Sequence, residues 1–270
     1  MKKQKFSKTL LLLILFLFAL FVGCSSSVKF GGTIETHTFN YPVLKEKENN
    51  PVLRLSIVND SISQTLKTIN LKIKEVQNIK NVRVFYTGQD SLFNTKKAFG
   101  KVQIPTQNLN FKGEQKLENG QHYFWVSYEL TEDCDLTSKV SCALDFLKID
   151  EENYMPQKQT GTSDLRLGVA VRQHNQDNVH TYRIPGLATT KKGSLLGIYD
   201  IRRDSGRDLQ GDMDIGVSRS TDGGNSWEPM RIALDMKQWG DMPEKFNGVS
   251  DANILVDEKT GDIYVAGLWM

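Results

Sequence analysis

Two stretches in the second half of the chain carry side chains able to do chemistry. The first is Tyr182-Arg183-Ile184-Pro185. Arginine is the residue type that grips a carboxylate through two parallel hydrogen bonds, and Pro185 would fix the backbone so that Arg183 projects in a set direction. On these four residues alone, a surface arginine beside a turn proline is the better description. The second stretch is Arg202-Arg203-Asp204-Ser205-Gly206-Arg207-Asp208. A carboxyl group that gives and takes back a proton works best with a raised pKa. This loop offers acidic neighbours that raise it and arginines that lower it, so the residues leave the balance open. Asp208 has rivals in Asp204, Asp212 and Asp214, of which Asp214 reads as the start of the next strand.

A turn follows the second stretch. Ser220-Thr221-Asp222-Gly223-Gly224-Asn225-Ser226-Trp227 fits S-x-D-x-G-x-x-W, the Asp box. Asp222 can bond the backbone ahead of it, the glycines allow positive φ, and Trp227 can fold its ring back onto the sheet. The motif stabilises a hairpin and is not itself catalytic. A true propeller would repeat it blade by blade; this chain holds one convincing copy.

The elements that must position these residues are strands. The chain has 270 residues, 39% of them hydrophobic and 24% charged, which describes a globular protein of about two domains. A net charge of +2, with no basic stripe, gives no case for a nucleic-acid partner. Residues 28–154 read as successive short strands: Val52 to Val58, Leu66 to Val76, Val82 to Tyr86, His122 to Leu130 and Cys142 to Ile149. No helical stripe competes with them, and the spacing favours a β-sandwich. Residues 155–163 are polar and contain Pro156 and Gly161, as a linker would. Strands resume over 164–270, at Leu165 to Arg172, Ser194 to Ile201, Asp214 to Ser220, Ala252 to Val256 and Ile263 to Trp269. The chain stops at Met270 inside an apolar strand, the ending expected of a domain cut short.

Residues 1–24 read as an export signal. Lys2, Lys3, Lys5 and Lys8 precede an apolar run from Leu10 to Val22, about 13 residues against the roughly 20 needed to span a bilayer. Gly23-Cys24 followed by Ser25-Ser26-Ser27 resembles a bacterial lipoprotein cleavage site, with Phe21 where such sites usually have Leu. That implies lipidation of Cys24 and an exported protein anchored to a bacterial membrane on its periplasmic or outer face. Cys134 and Cys142 remain, either as a disulfide stapling a hairpin or as two unpaired thiols. No cysteine or histidine spacing suggests a metal site.

Tyr182-Arg183-Ile184-Pro185, then a strand into an Arg/Asp-rich loop, then the Asp box, resembles the six-bladed propeller sialidases over about Leu165 to Met270. The resemblance implies an all-β chain, an N-terminal β-sandwich followed by the first blades of a six-bladed β-propeller. It implies a retaining exo-α-sialidase that releases terminal sialic acids from glycoproteins, glycolipids and oligosaccharides without metal or cofactor. Arg183 would bind the sugar carboxylate and Asp208 would be the general acid/base that protonates the leaving oxygen. Arg202 would contact the 4-hydroxyl side of the sugar together with Asp251; Arg202 otherwise reads as a partner to Asp200 or Asp204, and Asp251 as a loop-end cap. Trp239 and Phe246 stand as lining for the N-acetyl pocket or as structural aromatics. The tyrosine nucleophile, its glutamate and two further arginines are expected beyond Met270, since Tyr199 and Tyr264 lie in no matching motif. The chain by itself is therefore expected to be poorly stable and inactive. A non-catalytic sialic-acid-binding propeller and a trans-sialidase are the alternative readings. The N-terminal part resembles the carbohydrate-binding-like module of sialidases from gut Bacteroides-type bacteria, and Tyr123 and Trp125 share one strand face as a sugar-stacking platform or a buried sheet face.

Overall fold

The computed structural model describes residues 29–208 and 211–269. Residues 1–24, read above as an export signal ending at Cys24, lie outside the described residues. Those described form strands joined by turns and three short 3-10 segments, with no α-helix among them.

The first part is a sandwich. Its strands are β1 (Thr33–Thr38), β2 (Val43–Leu44), β3 (Asn50–Asn59), β4 (Gln64–Lys74), β5 (Ile79–Gly88), β6 (Asn108–Leu117), β7 (Gly120–Leu130), β8 (Lys139–Ile149), β9 (Glu152–Tyr154), β10 (Lys158–Gly161) and β11 (Leu165–Gly168). One sheet runs β10-β1-β3-β7-β5; the other runs β2-β11-β8-β4-β6, with β9 paired to β8. Alternation decides which side chains enter the core. Leu53, Leu55 and Ile57 of β3 and Phe124, Val126 and Tyr128 of β7 face Ile69, Leu71 and Ile73 of β4 and Phe111 of β6, all buried. Each such side chain contributes about 1.5–3 kcal/mol relative to exposure. The Tyr128 hydroxyl donates to the Ser141 carbonyl at 2.9 Å, which satisfies its one buried polar atom.

One expectation changes here and two open alternatives are decided. Residues 155–163 are not a free tether, because β10 pairs in parallel with β1, from Glu35 opposite Lys158 to Thr38 opposite Gly161. An edge strand is held by backbone hydrogen bonds and can be wholly polar; all four β10 residues are exposed. Leu165 and Leu167, placed in the second unit, sit in the sandwich core, so the chain leaves the sandwich after Gly168. Second, Cys134 and Cys142 are both free and buried. They act as small apolar side chains, and burial pushes the Cys142 thiol up to about 12. Third, Trp125 is no open platform. It is 5% exposed, stacked by Phe39 at 5.3 Å and met edge-on by Phe93 at 5.7 Å, with the Arg54 guanidinium 5.9 Å from its ring.

The second part holds β12 (Thr181–Thr189), β13 (Leu195–Arg202), β14 (Met213–Ser220), β15 (Arg231–Leu234), β16 (Val249–Val256) and β17 (Ile263–Trp269). The first four form an antiparallel up-and-down sheet in chain order, the shape of a propeller blade, and the last two a hairpin. Ile198 and Ile215 of the blade pack on Val249 and Ala252 of β16. The Ser220–Trp227 turn is tightly bonded. Gly224 N–H donates to Ser220 Oγ at 2.9 Å, Ser226 N–H donates to Asp222 Oδ1 at 3.0 Å, and Gly223 and Gly224 have φ of 74° and 94°. These bonds, that of the Ser226 hydroxyl foremost, hold the Asp222 carboxyl well below its ordinary range. Trp227 folds back over Gly197 of β13, where an added Cβ would lie 3.2 Å from the ring.

Candidate active site

Arg183 stands on β12 immediately before an irregularity. Pairing with β13 runs to Arg183 opposite Asp200 and resumes at Gly186 opposite Ile198. Inside the bulge Ile184 has φ 50°, a left-handed conformation costing about 1–2 kcal/mol for a side chain with a Cβ. Pro185 lacks an N–H and suits a position where the ladder is broken. The bulge re-aims the strand, and the Arg183 side chain emerges 43% exposed.

Arg202 closes β13 and is 2% exposed. Two residues earlier on the same strand face, Asp200 is fully buried and accepts from Arg202 Nη2 at 2.9 Å. Arg202 Nη1 reaches into the following loop. It donates to the Arg207 carbonyl at 2.7 Å, the Gly206 carbonyl at 3.3 Å and Asp208 Oδ1 at 2.5 Å. Arg183 Nη1 donates to the same Asp208 oxygen at 2.7 Å. One carboxylate oxygen thus takes charged donors from two guanidiniums. The Arg202 hydrogen bond, with the Arg183 and Arg202 charges, lowers the Asp208 carboxyl from its usual range.

Two of the rival carboxylates, Asp212 and Asp214, are paired with Arg203. Asp214, the second residue of β14, pairs with Arg203 Nη2; burial nevertheless pushes its carboxyl up to about 6. Asp212 lies 3.5 Å from Arg203 Nε. Asp204 lines a cavity of about 470 Å³ beside Arg202, with Arg203, Arg207, Asp212, Lys245 and Phe246 also in its wall. Phe246 and Trp239 are exposed, the latter edge-on to Trp269 at 6.1 Å. Tyr199 is 4% exposed and bonded to Ser218 Oγ at 2.7 Å, whereas Tyr264 is exposed on the last hairpin.

The Asp251 turn is tied to Asp200 through the residues on either side of it. The β16–β17 register breaks between Ser250 and Asn253, and Asp251 has φ 59° there, with its residue exposed. On either side of it, Ser250 Oγ donates to Asp200 Oδ2 at 2.7 Å and Ala252 N–H to Asp200 Oδ1 at 3.2 Å. Asp200 therefore links Arg202 to the Asp251 turn. Neither Asp200 nor Ser250 stands out in the sequence as a site residue. The available signal was an acid and a base two residues apart on an otherwise apolar strand, which places both on one face.

An all-β chain with a sandwich followed by a four-stranded propeller-type blade has the architecture of a β-propeller protein with an N-terminal β-sandwich. Residues 32–153 match the N-terminal domain of BNR-repeat neuraminidase. The chain is 34% identical to a sialidase of Bacteroides fragilis over 95% of its own length and 52% of that protein. A sialidase of Micromonospora viridifaciens is 36% identical over 34% of this chain and 13% of its own length. The Hadza microbial sialidase Hz136 superposes with a TM-score of 0.76 at 30% identity, covering 87% of this chain and 51% of that one. This is a sialidase-family protein, and the chain spans about half the length of the Bacteroides relative and of the solved structure.

Proposed function

We propose that this chain carries the carboxylate-binding and acid/base half of an exo-α-sialidase site. Terminal sialic acids of glycoproteins, glycolipids and oligosaccharides would be its substrates. One observation carries the reading: Arg183 and Arg202 converge on a single carboxylate oxygen. A pair of guanidiniums that holds the Asp208 carboxylate is spaced to hold a carboxylate. The sugar's own carboxylate is the natural competitor for Arg183.

In this mechanism the arriving carboxylate takes Arg183 and strips Asp208 of one positive neighbour. The Asp208 pKa then rises toward the range a general acid needs. Asp208 protonates the glycosidic oxygen and later removes a proton from the water that completes a retaining hydrolysis. Arg202 and Asp251 face the 4-hydroxyl side, and the Ser220–Trp227 turn serves as an Asp box that braces the blade. The basic cavity wall of Arg203, Arg207 and Lys245 suits an anionic sugar. Export and a lipid anchor at Cys24 belong to the same reading and would put the enzyme on a bacterial membrane surface.

A second reading has support in the resting charge state. Asp208, held low by two arginines, also fits a propeller that binds sialic acid without cleaving it. Asp208→Ala in the whole protein separates the two. A sialidase loses turnover of sialyllactose, a poor leaving group, far more than turnover of an activated aryl sialoside. Equal losses on both substrates dismiss Asp208 as the acid, and a parent protein that binds sialic acid but releases none establishes the binding-only reading.

A further inference from the structure

The most enclosed charge in the second unit is Asp200. Its carboxylate is fully buried and meets three donors that come from different places in the chain: Arg202 Nη2, Ser250 Oγ and Ala252 N–H. A buried carboxylate persists only where hydrogen bonds and an opposite charge replace its water, and here both oxygens are engaged. The strand face that carries Asp200 also carries Arg202. The two β16 donors flank Asp251, whose left-handed backbone is the kind of conformation held in place only by its surroundings.

We propose that Asp200 is the positioning residue of the site, fixing the Arg202 guanidinium and the Asp251 turn as one rigid unit across two strand systems. This rests on the sialidase reading only in naming what the unit holds, the 4-hydroxyl side of a sialic acid. Through Arg202 Nη1, the unit extends to the Gly206–Asp208 loop. Asp200 touches no substrate in this scheme. It sets where Arg202 and Asp251 stand.

Asp200→Asn keeps the shape and removes the charge, and its NH2, a donor only, replaces one oxygen and confronts either the Arg202 and Ser250 donors or the Ala252 N–H. In the whole protein, the kcat/KM of a sialoside should fall about 100-fold, the order expected for displacing a site by roughly 1 Å. The fall should be much smaller on the matching 4-deoxy sialoside, which lacks the hydroxyl that the unit holds. A merely structural residue would depress both substrates equally, and that result, or no loss at all, overturns the proposal. Amide NMR gives a second readout that needs no activity. Asp200→Asn should shift the signals of both Asp208 and Asp251, whereas movement confined to one side refutes the coupling. Ser250→Ala removes one bond and spares the ion pair, which covers the case in which Asp200→Asn fails to fold. It should displace the Asp251 signal and weaken the preference for the 4-hydroxyl; an unchanged signal and preference refute the proposal. A parent protein without turnover defeats the sialidase reading but leaves the NMR test of positioning intact.

Discussion

Gly186 offers a direct probe of how the blade aims Arg183. It is the first residue of β12 to pair again after the bulge, opposite Ile198. A Cβ placed on it would stand 2.8 Å from Ile198 Cγ2, 3.7 Å from Ile254 Cγ2 and 4.0 Å from the Ala252 carbonyl oxygen. Ile198 is fully buried and, being β-branched, is stiff at χ1, so its methyl has nowhere to turn. The strands must instead part by roughly 1 Å to restore an ordinary carbon–carbon contact of about 3.8 Å. Overpacking of this kind costs about 1–3 kcal/mol. With a urea slope of about 1–3 kcal/mol/M, Gly186→Ala should lower the unfolding midpoint by about 1 M. Tryptophan fluorescence reports on the right region, because Trp227, Trp239 and Trp269 belong to the second unit and Trp125 alone to the sandwich. Ile198→Ala removes the offending methyl and costs about 2–5 kcal/mol by itself. The double variant should therefore be less destabilised than the sum of the two singles. An unchanged midpoint for Gly186→Ala, or strict additivity in the cycle, would show that β12 does not press on Ile198 as described.

Two further outcomes follow from the sandwich. Glu129 is pushed up by burial, yet hydrogen bonds from Asn81, Lys80 and Arg83 overcome this and bring its carboxyl down to about 2. A carboxyl lowered in the folded state contributes stability above its unfolded pKa of about 4.3 and loses it as pH falls from there toward 2. Acid titration of the sandwich, followed by circular dichroism, should show that loss, and Glu129→Gln should flatten it; an equally steep acid transition in the variant rejects the assignment. Cys134 and Cys142 should be silent to an aromatic disulfide reagent in the native protein and both react in urea, and a fast-reacting native thiol would contradict their burial.

How far the sequence discloses this fold depends on what each strand buries. The strands recognised from alternation, such as β3 and β7, place apolar side chains at alternate positions in the core. β1 escaped because it reads Thr-Ile-Glu-Thr-His-Thr. Its inward positions are Ile34, Thr36 and Thr38, and two of the three are polar by type though buried. β10 escaped for the opposite reason, since it buries nothing and is held by backbone pairing alone. The covering of Trp125 by Phe39 and Phe93 joins a loop, a strand and another loop distant in sequence. Periodicity correctly separated Tyr123 and Trp125 from the core face that holds Phe124 and Tyr128, but it carries no information on what lies over a face.

The candidate site divides along the same physical line. Arg183, Arg202 and Asp208 were readable because motif order encodes them within 25 residues, and the structure brings these three together on one oxygen. Asp200 was readable only as a partner for Arg202; its link to the Asp251 turn was not, because Ser250 and Ala252 lie about 50 residues on, in another strand system. The bulges add a reason why the sites fall where they do. Ile184 and Asp251 are both left-handed, and both sit where a ladder loses register. A β-branched residue does not adopt that conformation for its own sake. It is held there by the strands on either side, and those strands meet at Asp200, directly opposite Arg183 in the β12–β13 register and bonded to both neighbours of Asp251. One buried carboxylate thus stands behind each bulge that turns a polar side chain outward. A change at Asp200 should therefore be felt at Arg183 through the backbone ladder as well as at Arg202 through charge.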